Sequence, residues 1–141
     1  MNDDSSAPIL VIGAGSWGTA LAILLAGNGN QTLLWGNDPA QLAELARRRQ
    51  NATYLPGIDF PAQLTIAADL AAALARTRDV LIAAPSAAFR AVVRAIATHR
   101  PDDARIAWGT KGFEPGHGRL LHELIGEEYR GHPPHAVISG P

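Results

Sequence analysis

Apolar residues along the chain fall into two alternating kinds of run. Short, mainly apolar runs predict strands, and the continuous, mostly β-branched run at 9–12 predicts a strand buried on both faces, as in a parallel sheet. Apolar residues spaced three and four apart predict helices that bury one side. The predicted strands cover residues 9–12, 32–35, 64–66, 80–84, 105–108 and 136–138, and the predicted helices cover 16–26, 38–49, 68–76, 86–98 and 119–129.

This alternation of strand and helix with short joins predicts an α/β fold, a doubly wound and mostly parallel sheet with helices on both faces in three αβα layers. The stretch from 51 to 63 interrupts the pattern with Pro56-Gly57 and Pro61, which predicts a loop. With 141 residues the chain has the size of one domain. We expect that domain to span residues 8–141, after a flexible N-terminus at residues 1–7.

The turn after the first strand carries the strongest motif, Gly13-Ala14-Gly15-Ser16-Trp17-Gly18, here called the glycine fingerprint. In this pattern Gly13 permits a tight turn, Gly15 lets a pyrophosphate approach the backbone, and Gly18 lets the helix pack closely on the strand. The start of the helix offers N–H groups and a positive dipole end to phosphates. A glycine-rich turn without a ligand is the alternative, but the flanking strand and helix favour a dinucleotide-binding Rossmann domain.

The end of the second strand predicts which dinucleotide is used. NAD-binding domains usually carry an acid about 20 residues beyond the fingerprint, where it binds the ribose hydroxyls. Here Gly36 occupies that position, Asn37 follows, and Asp38 precedes Pro39 in the manner of a helix cap. Without an acid a 2′-phosphate is not repelled, and Asn37 could donate a hydrogen bond to it. We therefore expect NADP or NAD, with NADPH preferred, and we interpret residues 47–49, three arginines, as a solvated helix end.

Lys111, the single lysine of the chain, follows a strand in the sequence Gly-Thr-Lys-Gly. Ligands bind at the carboxyl ends of strands in such sheets, so Lys111 is a candidate for neutralising a phosphate or polarising a carbonyl. Ser86 is predicted to cap its helix. Phe89, one turn further, would contact an adenine or nicotinamide ring or pack in the core. Tyr54 lies in the long loop and would line a site or anchor that loop.

Composition and charge exclude several other functions. A net charge of −1, from 12 basic and 13 acidic residues, is wrong for an electrostatic nucleic-acid binder. The chain has no cysteine, its five histidines lack ligand spacing, and we predict no metal site. No Gly-x-Ser-x-Gly elbow suggests a hydrolase. The acidic, polar start is unlike a signal peptide and no apolar run is long enough to span a membrane, so we expect a cytoplasmic protein without membrane insertion.

Five motifs in order resemble those of bacterial NAD(P)-dependent glycerol-3-phosphate dehydrogenase. They are Gly-Ala-Gly-Ser-Trp-Gly-Thr-Ala-Leu-Ala at 13–22, Leu-Trp-Gly at 34–36, Asn51 with Tyr-Leu-Pro at 54–56, Thr-Lys-Gly at 110–112 and Ile-Ser-Gly-Pro at 138–141. The resemblance runs from about residue 8 to the last residue. It implies an oxidoreductase that interconverts dihydroxyacetone phosphate and sn-glycerol 3-phosphate by hydride transfer with NAD(P)H, for glycerophospholipid synthesis.

The resemblance also implies roles for particular residues. Ser16 and Trp17 match positions that contact the cofactor, and Lys111 matches a lysine that touches both cofactor and substrate. Asn37 matches a position, often basic, that binds the adenosine end, and Gly140 matches a glycine that binds glycerol phosphate. The family's proton-donating lysine lies in a helical second domain after the last motif, which is absent from this sequence. The full-length enzyme is expected to be a homodimer.

Hydride transfer to a ketone needs an acid to protonate the developing alkoxide. Because the matched lysine here is a binder, we expect this chain to bind dinucleotide and turn over little or nothing. Two other hypotheses remain. One is a different two-domain NAD(P) dehydrogenase, which would share the fingerprint without the other motifs. The other is a non-catalytic dinucleotide-sensing module.

Overall fold

The sheet has six strands, all parallel. The computed structural model describes residues 7–100 and 102–139; Gly140 and most of the predicted flexible N-terminus therefore lie outside the described residues. The strands are β1 (Ile9–Ile12), β2 (Thr32–Trp35), β5 (Leu64–Ile66), β6 (Asp79–Ile82), β7 (Arg105–Trp108) and β8 (His135–Val137). Their order is β5-β2-β1-β6-β7-β8, so the doubly wound parallel sheet is confirmed.

Five helices cover the two faces of the sheet in the described part of the chain. They are α1 (Ser16–Gly27), α2 (Pro39–Arg48), α3 (Leu70–Arg76), α4 (Ser86–His99) and α5 (Leu121–Glu128). Val11 packs in the core with α1 and α2, whereas Leu10 and Ile12 pack in a second core with the other three helices. This alternation is the period of two of a strand buried on both sides, and it gives the three predicted layers. Among these helices none is long and apolar enough to cross a membrane.

The predicted loop at 51–63 is partly wrong, because the structure forms a small antiparallel hairpin there. Its strands are β3 (Gln50–Asn51) and β4 (Leu55–Asp59). Pro56 and Gly57, the residues on which the prediction of a loop depended, lie inside β4. A proline is tolerated because both strands of a two-stranded sheet are edges, where a missing N–H faces no partner. The register of this pairing shifts between Gln50 and Asn51.

Two predicted helix caps have different outcomes. The Asp38 carboxylate accepts hydrogen bonds from the backbone N–H of Ala40 at 2.9 Å and of Gln41 at 3.3 Å, so it caps α2 as predicted. The predicted cap at Ser86 is wrong. Pro85 occupies the capping position with extended backbone, and Ser86 is the first helical residue without a side-chain capping bond.

The three arginines at the end of α2 separate into two roles. Arg47 and Arg48 pair with Glu44 and remain 65% and 52% exposed, as expected for a solvated helix end. Arg49 corrects that interpretation. Its guanidinium donates to the carbonyl oxygens of Leu64 at 2.6 Å and Pro61 at 2.8 Å, so it fixes the segment that leads into β5.

Candidate functional site

An open cavity of about 1210 Å³ lies at the carboxyl ends of the strands. From β1 the chain turns to α1 and β2 on one side, and from β6 it turns to α4 and β7 on the other. Ligands of open α/β sheets bind at such a reversal of strand order. The lining residues come from 12–17, 35–37, 83–88, 91–92 and 109–111, together with Gln41, Tyr54 and Leu70.

What a side chain would meet differs among the three fingerprint glycines. Gly13 has φ +122°, and a Cβ there would lie 2.7 Å from the backbone carbonyl carbon of Ala83. A Cβ on Gly18 would collide with the Gly13 carbonyl oxygen. Gly15 differs, because a Cβ there would meet nothing within 4 Å. Gly15 lines the cavity, so the absence of a side chain there leaves space in the cavity, where a ligand would bind.

The start of α1 faces this cavity without a side-chain cap. Gly15 is the capping residue and makes no side-chain hydrogen bond, and Ser16 and Trp17 of the first turn line the cavity. The first N–H groups of a helix have no partner within the helix. This arrangement fits an anionic pyrophosphate, which would accept hydrogen bonds from those N–H groups.

Two amide side chains hold the fingerprint turn in place. The Ala14 carbonyl oxygen accepts hydrogen bonds from Gln41 Nε2 at 2.9 Å and Asn51 Nδ2 at 3.1 Å. Asn51, only 1% exposed, also donates to Thr19 Oγ1 at 2.8 Å and accepts from the Tyr54 N–H at 3.2 Å. Sequence reasoning did not single out these positioning roles, because nothing local distinguishes these amides from surface ones.

The end of β2 shows why no acid occupies the position that usually selects NAD. A Cβ on Gly36 would lie 2.9 Å from the Cβ of Ala14, so the fingerprint leaves no room for a side chain there. Asn37 lines the cavity, and the Asp38 carboxylate is engaged in capping α2. Among the described lining residues the ionisable side chains are those of Tyr54 and Lys111. No carboxylate in this set would repel a 2′-phosphate.

Lys111 reaches the same cavity from the end of β7. Trp17 of the fingerprint lies against the backbone just before it, since a Cβ on Gly109 would be 2.5 Å from Trp17 Nε1. The structure thus brings the fingerprint and the lysine segment into contact. Tyr54, which is 50% exposed, lines the cavity and is not a buried anchor of its loop.

Phe89 does not belong to this cavity. Its side chain is fully buried and packs edge-to-face on Trp108, with ring centroids 5.8 Å apart. The prediction that it contacts a ring of the cofactor is therefore corrected in favour of the core-packing alternative. Gly140 lies outside the described residues, so its predicted role stays a prediction.

Other features of the described chain offer no comparable site. No group of three or more acidic or histidine side chains comes together to hold a metal ion in the described ranges. A second groove of about 420 Å³ is lined by Ile9, Asp79 and Arg105, which begin β1, β6 and β7. The same groove is lined by Leu81 and Ala107 further along the strands and by Ile138 after β8, so it runs along β6, β7 and β8 and includes no residue of the fingerprint.

A doubly wound parallel sheet with a glycine fingerprint and an uncapped helix start at its switch point defines a dinucleotide-binding domain of the Rossmann type. Residues 8–141 match the family described as "NAD-dependent glycerol-3-phosphate dehydrogenase N-terminus". The chain belongs to this family.

Individual relatives agree with that assignment. The chain is 51% identical over 138 residues to glycerol-3-phosphate dehydrogenase [NAD(P)+] of Shewanella frigidimarina, covering 98% of this chain and 41% of the relative. It is 50% identical to glycerol-3-phosphate dehydrogenase [NAD(P)+] of Stenotrophomonas maltophilia, covering 94% of this chain and 39% of the relative. The crystal structure of glycerol-3-phosphate dehydrogenase from Coxiella burnetii superposes with a TM-score of 0.91 at 44% identity, covering 96% of this chain and 41% of that one. The chain thus spans about two fifths of the length of these relatives.

Proposed function

We propose that this chain is the cofactor-binding part of an enzyme that interconverts dihydroxyacetone phosphate and sn-glycerol 3-phosphate with NAD(P)H. The observation that carries the proposal is one cavity lined both by the uncapped start of α1 and by Lys111. Family membership supplies the reaction class. The resemblance to the bacterial enzymes supports a cytoplasmic protein in glycerophospholipid synthesis that is a homodimer at full length.

The chain's backbone and two of its side chains would share the contacts with the ligands. The N–H groups at Ser16 and Trp17 would donate to the pyrophosphate, and Asn37 would donate to the adenosine end. A bound nicotinamide supplies the hydride. Lys111 would place its ammonium next to the nicotinamide side of the cofactor and the phosphate or carbonyl of the substrate, where a positive charge stabilises developing negative charge.

We expect NADPH to bind more tightly than NADH, with both accepted. A 2′-phosphate carries negative charge, and no carboxylate among the described lining residues opposes it. Asn37 offers a hydrogen-bond donor but no positive charge, so the preference for NADPH is small.

Reduction of the ketone also needs a proton donor. Of the two ionisable side chains in the described lining, Lys111 is assigned to binding, and Tyr54 sits in the hairpin segment beside the fingerprint. We therefore expect the 141-residue chain to bind cofactor but to show little dehydrogenase activity. Steady-state oxidation of NADPH by dihydroxyacetone phosphate at a rate typical of an enzyme would contradict this expectation.

Titration with NADPH and NADH, followed by tryptophan fluorescence, tests cofactor binding. Trp17 is 45% exposed and lines the cavity, so a bound dinucleotide should change its emission. The variant Trp17→Phe separates this signal from those of Trp35 and Trp108. If neither dinucleotide binds at millimolar concentration by fluorescence or calorimetry, the proposal is wrong.

A non-catalytic dinucleotide sensor would pass that titration, so a second measurement is needed. Saturation transfer from the chain to dihydroxyacetone phosphate in the presence of NADP⁺, and its loss in Lys111→Ala, would support the dehydrogenase. Tight binding of dinucleotide with no detectable transfer to the phosphate substrate would favour the sensor.

A further inference from the structure

The segment that carries Lys111 is hydrogen-bonded to the backbone just before α4 and passes close to the first residue of α4. Just before it, Thr110 Oγ1 donates a 2.7 Å hydrogen bond to the Ala84 carbonyl oxygen, and Thr110 is buried. Just after it, a Cβ on Gly112 would lie 4.0 Å from Ser86 Oγ. The backbone at Lys111 therefore runs alongside the first turn of α4.

A second attachment lies one helical turn further along α4. Residues four apart occupy the same side of a helix, so Arg90 follows Ser86 on the side that faces this segment. The Arg90 guanidinium donates two hydrogen bonds to the Glu114 carboxylate, from Nε to Oε1 at 2.6 Å and from Nη2 to Oε2 at 3.0 Å. A two-bond pair of this kind fixes orientation as well as distance. The Glu114 side chain is only 11% exposed, which limits screening by water.

Arg90 is itself held from α5. Its Nη1 donates to Glu127 Oε2 at 2.9 Å and to Glu128 Oε1 at 2.7 Å. Arg94 on α4 binds the Glu128 carboxylate as well, at 2.9 and 3.0 Å. The guanidinium of Arg90 is thus pinned between the lysine segment and α5, and it cannot follow Glu114 outward without breaking bonds to a second helix.

Glu114 also closes the turn that follows the lysine. Its N–H donates to the Arg119 carbonyl oxygen at 2.9 Å, and its own carbonyl oxygen accepts from the Gly118 N–H at 2.9 Å. Gly116 and Gly118 have φ of +83° and +64°, conformations that suit glycine. A displacement of Glu114 would therefore move both this turn and the backbone three residues before it, at Lys111.

We propose that Arg90 is a positioning residue for Lys111: by clamping Glu114 against α4 it holds the lysine segment over the cavity. The inference rests on the proposed function, in which Lys111 contacts cofactor and substrate phosphate. Arg90 itself is not among the residues lining the cavity, so it acts through the segment and not on the ligand.

The test is a double-mutant cycle on the dissociation constant for NADPH. Arg90→Ala should weaken NADPH binding about tenfold in the wild-type background. In the Lys111→Ala background the same change should have almost no further effect, since the positioned group is gone. A merely structural role would weaken binding equally in both backgrounds, and that result would overturn the proposal.

Two controls localise the effect. Arg94→Ala removes a 65%-exposed partner of Glu128 on the same helix and should leave the dissociation constant unchanged within twofold. Adenosine 2′,5′-bisphosphate, the adenosine half of NADPH, should bind wild type and Arg90→Ala equally. A loss of bisphosphate affinity as large as that of NADPH would show damage to the whole cavity and overturn the proposal.

A third measurement needs no ligand. Amide hydrogen exchange at Glu114 and Gly118, whose N–H groups close the turn, should be faster in Arg90→Ala than in wild type or Arg94→Ala. Unchanged exchange at both amides would overturn the clamp even if NADPH affinity fell. If wild type binds no dinucleotide, the proposed function fails, and the exchange data still decide whether Arg90 holds the segment.

Discussion

At the scale of single residues, the space around each glycine decides what it does. Gly13 and Gly18 are surrounded by backbone of the protein, whereas the missing side chain of Gly15 opens toward the cavity. Gly13 and Gly18 are therefore required by the fold, and we propose that Gly15 is required by the ligand. One substitution can separate these two roles.

Gly15→Ala should preserve the fold and impair binding. Its φ of −81° suits alanine, and a Cβ meets no protein atom within 4 Å. The methyl group would occupy the approach of the pyrophosphate, so we expect NADPH affinity to fall by about tenfold or more while the melting temperature stays within about 2 °C. Calorimetric titration and thermal unfolding measure the two quantities.

The matched control is Gly18→Ala, where the new methyl group would collide with the Gly13 carbonyl oxygen. This variant should melt well below wild type. Equal melting temperatures for Gly15→Ala and Gly18→Ala would contradict the separation of roles.

Asn37→Asp should reverse the preference between the two dinucleotides. A carboxylate at this cavity-lining position would repel the 2′-phosphate of NADPH and could accept hydrogen bonds from the ribose hydroxyls of NADH. We expect the ratio of the two dissociation constants to shift by about tenfold toward NADH. Fluorescence titration with both dinucleotides measures it.

The neighbouring variant Asp38→Asn tests whether any change of charge in this turn is sufficient. Its side chain caps α2 and an asparagine still caps, so the ratio should stay as in wild type. A shift of equal size in Asp38→Asn would show that Asn37 does not specify the adenosine end.

Local chemistry was predictable from the sequence at this scale, and distant contacts were not. The glycine fingerprint, the Asp38 cap and the Lys111 position each depend on neighbours within a few residues. Gln41 and Arg90 act on atoms 27 and 24 residues away, and no local signal marks them. Phe89 was ambiguous because helical spacing shows which residues share a side, not whether that side meets a ligand or the core.

At the scale of elements, the hairpin and the fingerprint are joined by one buried side chain. Asn51→Ala should remove the hydrogen bonds to Ala14, Thr19 and Tyr54 and leave buried polar atoms unpaired. We expect a loss of about 1–3 kcal/mol in the free energy of unfolding, measured by urea denaturation, together with weaker NADPH binding.

Gln50→Ala is the control within the same strand. Its side chain bonds Asp59 at the exposed surface, so the expected loss is below about 0.5 kcal/mol. If both variants lost the same free energy, the buried amide would not be what fastens the hairpin.

The contact between α4 and α5 should make stability sensitive to acid. Hydrogen bonds from Arg94, then from Arg90, lower the pKa of Glu128 from 4.5 to about 2. A lowered pKa in the folded state means that the ion pairs stabilise the protein fully above about pH 4.5 and are lost as the pH falls toward 2. Glu114, held mainly by Arg90, has its pKa lowered in the same direction.

Comparing wild type with Glu128→Gln across pH tests this argument. The variant should melt below wild type at about pH 6, and the difference should shrink below about pH 4.5, where Glu128 of the unfolded wild-type chain becomes protonated while the folded carboxylate is still ionised. Thermal unfolding followed by circular dichroism provides the melting temperatures. A difference that stays constant down to about pH 3 would rule out titration of this carboxylate as the cause.

The periodicity of apolar residues predicted the type of each element. The predicted ends of the six strands of the parallel sheet and of the five helices lie within two residues of those in the structure. The hairpin was missed for a physical reason. Pro56-Gly57 lies inside β4, and strands of a two-stranded sheet tolerate residues that a central strand would exclude. No signal in 51–63 separates such a pairing from an irregular loop.

At the scale of the whole molecule, ligand binding should raise the free energy of unfolding of the domain. At a concentration about 100 times its dissociation constant, NADPH would add about 2.7 kcal/mol to the free energy of unfolding. For a domain of this size we expect the melting temperature to rise by about 5–10 °C. Scanning calorimetry with and without NADPH measures the shift, and Gly15→Ala should show a much smaller one.

The position of β1 at the middle of the sheet has a consequence for synthesis on the ribosome. Gly13 reaches its final conformation against the backbone of Ala83, and β1 pairs with β6 as well as with β2. At about 5–20 residues per second, the ribosome needs several seconds to make the intervening segment. We expect one edge of the apolar strand Ile9–Ile12 to stay unpaired during that interval, so the nascent chain passes through an aggregation-prone stage before its fingerprint can form.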